Sequence, residues 1–331
     1  MAMLKLLALD RFTISLFVMV LLASFLPVSG HAAEVFATVT NIAIAILFFL
    51  HGAKLSRQAI VEGILHWRLH AVVFAMTFLI FPILGLMAKP VLVPLLGETM
   101  YWGFLFMCFL PSTVQSSIAF TSVAKGNVAA AVCSASFSNL IGMFITPVLV
   151  SIFIFGQSKH DYDPTRSILE IGLLLLLPFI AGQVLRPVVF PWMQKMPSIV
   201  KKFDQGTILM VVYGAFSGAV VAGLWHQVSL LTLLYLCIAC SVLLTVIMLL
   251  SLYIPKWLGF NKADQITVFF CGSKKTLASG VPMAQILFAG QPLGMIVLPI
   301  MIFHQIQLMV CGIIANYWSK QHSENNDVKA K

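Results

Sequence analysis

The stretch "FFCGSKKTLASGVP", Phe269 to Pro282, sets two adjacent lysines, Lys274 and Lys275, inside a segment that is otherwise apolar from Ile266 to Phe288. A single charge at the centre of a bilayer costs roughly 2.5–3.5 kcal/mol on insertion scales. The reading of the fold therefore turns on whether this segment lies in lipid and what the two ammonium groups meet there.

The rest of the chain answers the first part. Of its 331 residues 60% are hydrophobic and only 9% charged, against about 25% charged in soluble domains. A mean hydropathy of +1.00 excludes a solvated globule. At about 20 residues per spanning helix there is room for ten spans with short loops. The apolar runs are long and unbroken, unlike the ten-residue alternating segments of a β-barrel. We read spans over roughly 11–27, 34–52, 68–88, 100–124, 127–155, 167–190, 206–225, 228–253, 263–288 and 291–318. The first, followed by a small-residue stretch ending at Ala33, also has the form of a cleavable signal peptide. Removing it would leave nine spans, so it is read as a retained helix.

The net charge of +9 would suggest nucleic acid in a soluble chain, but the placement of the basic residues explains it without such a partner. With ten spans and a cytoplasmic N-terminus, fifteen Lys and Arg fall on the cytoplasmic side and three, Lys89, Lys159 and Arg166, on the other. That bias follows the positive-inside rule. It places both termini in the cytoplasm and the protein in the plasma membrane, the inner membrane of a bacterium. Only Lys274 and Lys275 are left inside a span. The six cysteines all lie in apolar runs, so no disulfide framework is expected, and the Cys237/Cys240 pair reads as packing.

Five spans per half would make a duplicated half inverted in the membrane, a transporter signature. Span four carries "QSSIA" (Gln115–Ala119) and span nine "KKTLA" (Lys274–Ala278), 159 residues apart. Both spans are interrupted. Pro111 lacks an amide hydrogen and is followed by Ser112, Thr113, Gln115, Ser116 and Ser117. In span nine Gly272 and Ser273 form one weak point, and Gly280 and Pro282 a second. Broken helices are tolerated at membrane depth only inside protein or beside a water-filled cavity, and two of them in corresponding positions point to a transport site.

Lys274 lies nine residues from Gln265, about 14 Å along a helix, so snorkelling to the interface is strained. Neighbouring residues diverge by about 100° on a helix. Both lysines can face one cavity only if the helix is broken there or one of them is neutral. They could bind an anionic substrate group, replace a bound cation, or carry a proton. A structural salt bridge is the plainer alternative, although Asp and Glu are nearly absent from the other spans. A Ser273–Lys274 hydrolytic pair is disfavoured by geometry. Further polar groups within spans are Asn41, Ser134, Ser136, Ser138, Asn139, His304, Gln305 and Gln307, with His304 and Gln307 on one helix face. Thr276 belongs with the span-nine cluster.

Five stretches, "FFLHGAKLSRQAI" (48–60), "LPSTVQSSIAFTSVAKGNVAAAVCSAS" (110–136), "FNKAD" (260–264), "FCGSKKTLASGVPMAQILF" (270–288) and "LPIMIFHQIQLM" (298–309), resemble the bile acid:sodium symporter family (solute carrier family 10), most closely its member-7-like branch. The likeness runs from about Asp10 to Trp318. It implies an all-α polytopic membrane protein of ten transmembrane helices in two inverted five-helix repeats, about 10–155 and 167–318. Panel spans 1, 2, 6 and 7 would pack on core spans 3–5 and 8–10, with broken helices 4 and 9 crossing. The resemblance makes the chain a transporter and not an enzyme, with substrate between panel and core and alternating access by their relative movement.

The chain also departs from that pattern. Sodium-coupled relatives carry a glutamate followed closely by a Gln-Asn pair at the ninth-helix break, where this chain has Phe270, Lys274 and Lys275. Their fifth-helix ligands fall on Ala131 and Ala135, with Ser134 and Ser138 a residue or a turn away. Any remaining sodium site would lie near Ser116, Ser117 and Ser134. We expect a lysine in the cation's place and a secondary transporter of an organic anion. Its binding residues would be Ser112, Thr113, Gln115, Ser116, Ser117, Ser134, Ser138, Ser273, Lys274, Lys275, Thr276, His304 and Gln307. No cofactor is expected beyond sodium or proton coupling, and the partners are the lipid bilayer and a small solute. The alternative is a non-transporting sensor or regulator of ion homeostasis on the same fold. The polar residues 319–331 read as a disordered cytoplasmic tail.

Overall fold

The computed structural model describes residues 11–54, 66–157, 177–223 and 228–329, and among these residues there are helices and no strands. This is the expected outcome for a chain whose backbone polar groups have no water to bond and must be satisfied within each segment. The helices are α1 (Arg11–Phe25), α2 (Gly30–Lys54), α3 (Trp67–Met87), α4 (Lys89–Leu96), α5 (Glu98–Phe109), α6 (Gln115–Val123) and α7 (Val128–Phe153). There follow a helical stretch over 177–184, α8 (Arg186–Lys195), α9 (Pro197–Val221), α10 (Leu230–Trp257), α11 (Lys262–Gly272), α12 (Gly280–Leu287) and α13 (Leu293–Lys329).

Six of these, α2, α3, α7, α9, α10 and α13, have unbroken stretches long and apolar enough to cross a bilayer. Two further predicted spans are tandem pairs of short helices: α5 and α6 around residues 110–114, and α11 and α12 around residues 273–279. Much of the predicted span 167–190 lies outside the described residues. Outward faces are apolar, as lipid requires. On α10, Leu231, Leu234, Ile238, Val242 and Leu249 form an exposed stripe at helical spacing. The opposite face of α10 turns Leu236, Cys240, Leu243 and Ile247 into the main core.

Small residues let helices approach closely. Gly52 of α2 and Gly182 interlock: a Cβ on Gly182 would stand 1.9 Å from the Phe49 carbonyl oxygen, and one on Gly52 2.0 Å from that of Phe179. The core around the two tandem pairs is built the same way. Gly103 of α5 faces the Ile296 backbone of α13, and Gly142 of α7 faces the Pro111 ring.

The "FNKAD" stretch caps α11. Asn261 accepts from the Asp264 amide, and Asp264 accepts from both Asn261 Nδ2 and Asn127 Nδ2 at 2.7 and 2.9 Å. Asn127 in turn caps α7 through the Ala130 amide. One acidic side chain thereby ties the start of α7 to the start of α11 and fixes how these two helices enter the core.

Candidate functional site

Proline chemistry creates the site. α5 stops at Phe109 because Pro111 cannot donate, and Leu110 turns extended with ψ 153°. α11 stops at Gly272, and the chain resumes as a helix only at Gly280. The two breaks lie against each other, with the Thr276 amide donating to the Pro111 carbonyl at 3.0 Å. Every backbone carbonyl released by such breaks needs a partner, and the polar side chains of the sequence motifs supply them. Ser112 Oγ donates to the Cys271 carbonyl at 2.6 Å and Ser117 Oγ to that of Phe270 at 3.1 Å. Ser273 Oγ donates to Phe269, Thr146 Oγ1 to Phe109, and Asn139 Nδ2 to Ser112. Ser138 Oγ accepts the Ser112 amide at 3.1 Å.

Lys275 completes this accounting. Its ammonium has three protons and meets three carbonyl oxygens: Thr77 at 2.8 Å, Cys108 at 2.8 Å and Leu110 at 2.6 Å. Each of these oxygens is free for a reason visible in the local backbone. α3 contains a π turn over Met76–Ile80, in which the Phe81 amide bonds the Met76 carbonyl. The corresponding partner of Thr77 is Pro82, which has no N–H. The helical partner of Cys108 would be the Ser112 amide, which is spent on Ser138. Leu110 sits in the break itself. The Phe81 ring covers the ammonium at 4.1 Å. The main chain of Lys275 is held as tightly: its amide donates to Gln307 Oε1 at 2.9 Å, Gln307 Nε2 donates to its carbonyl at 2.8 Å, and Gln307 contacts His304 Nδ1 at 2.8 Å.

Lys274 points elsewhere. Its ammonium donates to the Ser116 carbonyl at 2.9 Å and lies between two rings, Phe120 at 4.1 Å and Phe270 at 5.1 Å from the centroids. Cation–π contact of this kind is strongest when the cation is desolvated. Both lysines are fully buried. Among the described residues no carboxylate comes within 4 Å of either, so the salt-bridge alternative finds no support there. Ser273 and Lys274 are bonded to different partners and do not form a Ser–Lys pair.

A cavity of about 730 Å³ opens beside the two breaks. Its polar wall is the pair of breaks and the helix starts that follow them, Thr113 to Ser116 and Thr276 to Ser279, with Ser136, Asn139, His304 and Gln305. Its apolar wall includes Leu140, Met143, Ile208, Leu308 and Ile313, and its charged mouth carries His51, Lys54, Lys201 and Asp204. Of the residues singled out from sequence, Thr113, Gln115, Ser116, Thr276 and His304 line it. Ser112, Ser117, Ser134, Ser138, Ser273, Gln307 and both lysines stand behind the wall. Ser134 is engaged by His70 Nδ1 at 2.6 Å. Asn139, Phe120, Ser279 and the mouth residues were not among the predicted site residues. Asn139 was visible as a polar group within a span. His51 and Lys54 lie in the "FFLHGAKLSRQAI" stretch, one of the five that carry the family resemblance, from which no site residue is expected.

A family model for SBF-like CPA transporters matches residues 10–320. The chain belongs to that family. It is 55% identical over 315 residues to the uncharacterised protein PA2026 of Pseudomonas aeruginosa, covering 95% of this chain and 94% of that one. It is 50% identical over 319 residues to the protein of Escherichia coli named "Putative symporter YfeH", covering 95% and 94%. To the mouse protein named sodium/bile acid cotransporter 7 it is 27% identical over 290 residues, covering 87% and 85%. The SBF-like chain is therefore an integral membrane transporter of the bile acid:sodium symporter type and not an enzyme.

Proposed function

We propose that this transporter moves an organic anion by alternating access and that Lys275 occupies the position a coupling cation would take. The observation that carries the reading is the ammonium of Lys275 seated among three carbonyl oxygens at 2.6–2.8 Å. An all-oxygen nest is the donor set a hard cation prefers. Here a covalently tethered cation fills it. The residues nearest to a sodium site in the sequence are also spoken for: Ser134 by His70, Ser117 by Thr113 and the Phe270 carbonyl, and the Ser116 carbonyl by Lys274. Two fixed ammonium groups without acidic partners among the described residues favour an anion in the adjoining cavity. The starts of α6 and α12 on its wall present the positive ends of short helices. The apolar wall favours an amphipathic solute.

On this reading the chain has ten spans in two inverted repeats, about 10–155 and 167–318, within one transmembrane domain and a polar tail. The tandem pairs α5–α6 and α11–α12 are the fourth and ninth spans, and the cavity lies between panel and core. Its mouth, carrying Lys54 and Lys201, is on the side rich in Lys and Arg, so the cavity faces the cytoplasm and both termini lie there.

The test is thermal stability of the purified protein in detergent in sodium, potassium or choline chloride at equal ionic strength, with and without organic carboxylates and sulfonates. A ligand that binds only the folded state raises its stability. Stabilisation by anions without preference for sodium is expected. Selective stabilisation by sodium would restore sodium coupling and overturn the surrogate role of Lys275. Indifference to every anion would favour the sensor reading.

A further inference from the structure

The mouth of the cavity holds a charged cluster that the crossing does not need. Lys54, the last residue of α2, donates to Asp204 Oδ2 of α9 at 2.7 Å, and His51 Nε2 stands 3.9 Å from the same oxygen. Lys201 lies one turn earlier on α9 and also lines the cavity. Asp204 is the only carboxylate on the described lining. Its side chain is 14% exposed while that of Lys54 is 38% exposed. The second oxygen, Oδ1, is buried and has no hydrogen-bond partner among the described residues. A carboxylate with one oxygen orphaned is poorly satisfied by its site, and an ion pair whose ammonium is partly exposed contributes little. Asp204 thus holds Lys54 weakly.

We propose that Lys54, Lys201 and His51 form a mouth subsite for the anionic group of the solute, and that Asp204 is its built-in competitor. In the structure the Asp204 carboxylate sits where the solute's carboxylate or sulfonate would sit, on the Lys54 ammonium. A solute anion entering the cavity displaces it, and the apolar wall at Ile208, on the same helix face one turn further, receives the solute's body. Empty, the pair tethers α2 to α9 and keeps an unpaired ammonium from the mouth. Occupied, the tether is exchanged for the solute. The inference rests on the organic-anion reading above and adds where the anionic group is first held.

The experiment measures apparent affinity from the concentration dependence of thermal stabilisation. The probes are octanesulfonate and decanoate, with 1-octanol as the neutral control. Removing the competitor in Asp204→Asn should tighten both anions by roughly two- to five-fold, the ratio that a weak exposed ion pair supports. Lys54→Gln and Lys201→Gln should each weaken them by a similar factor, and octanol should respond to none of the changes. In the Lys54→Gln/Asp204→Asn double variant the gain from losing Asp204 should disappear, because there is no longer an ammonium to compete for. A merely structural tether would shift the melting temperature of the unliganded variants and leave the affinities alone. Wild-type stabilisation by the anions with unchanged affinity in both single variants at positions 54 and 204 would overturn this inference while sparing the transport reading. Failure of both anions to stabilise the wild type would overturn the anion reading, and this inference with it.

Discussion

Replacing Lys275 by alanine should turn a cation-indifferent protein into a cation-dependent one. The substitution removes three hydrogen bonds and leaves the carbonyl oxygens of Thr77, Cys108 and Leu110 facing an empty space. A buried polar group without a partner costs roughly 1–3 kcal/mol, so the gross loss is of order 3–9 kcal/mol. Removing an ammonium from a site without a carboxylate returns roughly 2.5–3.5 kcal/mol by insertion scales. The net destabilisation should be a few kcal/mol, enough to be read in a melting curve. Sodium or methylammonium can enter the vacated nest, and at ten times its dissociation constant such a cation adds about 1.4 kcal/mol. The assay compares melting temperatures of wild type, Lys275→Ala and Lys275→Met in sodium, methylammonium and choline chloride. Wild type should melt at the same temperature in all three. The alanine variant should melt lower in choline and recover in the smaller cations, while the methionine variant, whose side chain fills the space, should stay low throughout. An alanine variant as stable as wild type in choline, or indifferent to the cation, would refute the view that this ammonium neutralises the three carbonyls.

Other perturbations follow from the same geometry. Gly182→Ala should cost at least the ~1–3 kcal/mol typical of overpacking, because the added Cβ would meet the backbone of Phe49 at 1.9 Å; expression and melting temperature report it, and Gly206→Ala, with nothing within 4 Å, is the matched control. Gln307→Leu removes both hydrogen bonds to the Lys275 main chain and should destabilise by about 1–4 kcal/mol; an unchanged melting temperature would show that the break holds itself. In a Cys237→Ala background, Gln115→Cys and Ser136→Cys on the cavity wall should react with a hydrophilic thiol reagent. Ser117→Cys, at a fully buried position, should not, and equal reactivity of all three would contradict the cavity described here.

What the sequence could show depended on which groups have letters. Pro111, Gly272 and Gly280 announce the breaks, and the helices do end or start at or next to them. The serines around them are polar groups in lipid and demanded a purpose, which turns out for Ser112, Ser117 and Ser273 to be the bonding of released carbonyls. The partners of Lys275 are backbone oxygens on α3, on α5 and in the break after it, and backbone oxygens leave no trace in composition or spacing. The π turn that frees Thr77 has only Pro82 as its sign, in a span that otherwise reads as an ordinary apolar helix. From the sequence, both lysines can face one cavity only if the helix is broken or one of them is neutral; the helix is broken, and the break lets them diverge, one toward α6 and the other toward α3 and α5.

The divergence separates two roles that the "SKK" tripeptide had merged. Lys275 is saturated by its three carbonyls, so any movement of α3 against the two breaks must break strong charge-assisted bonds. Among the described residues the Lys274 ammonium has a single hydrogen bond, to the Ser116 carbonyl, and its ring partner Phe120 also lines the cavity. A solute pressing on Phe120 touches the cover of Lys274 directly. Of the two ammonium groups, Lys274 is therefore the one whose environment a bound anion can change. Lys274→Met should accordingly alter anion affinity with little loss of stability, whereas Lys275→Met should lose stability first. Equal losses of stability in the two variants would return the pair to a single structural role.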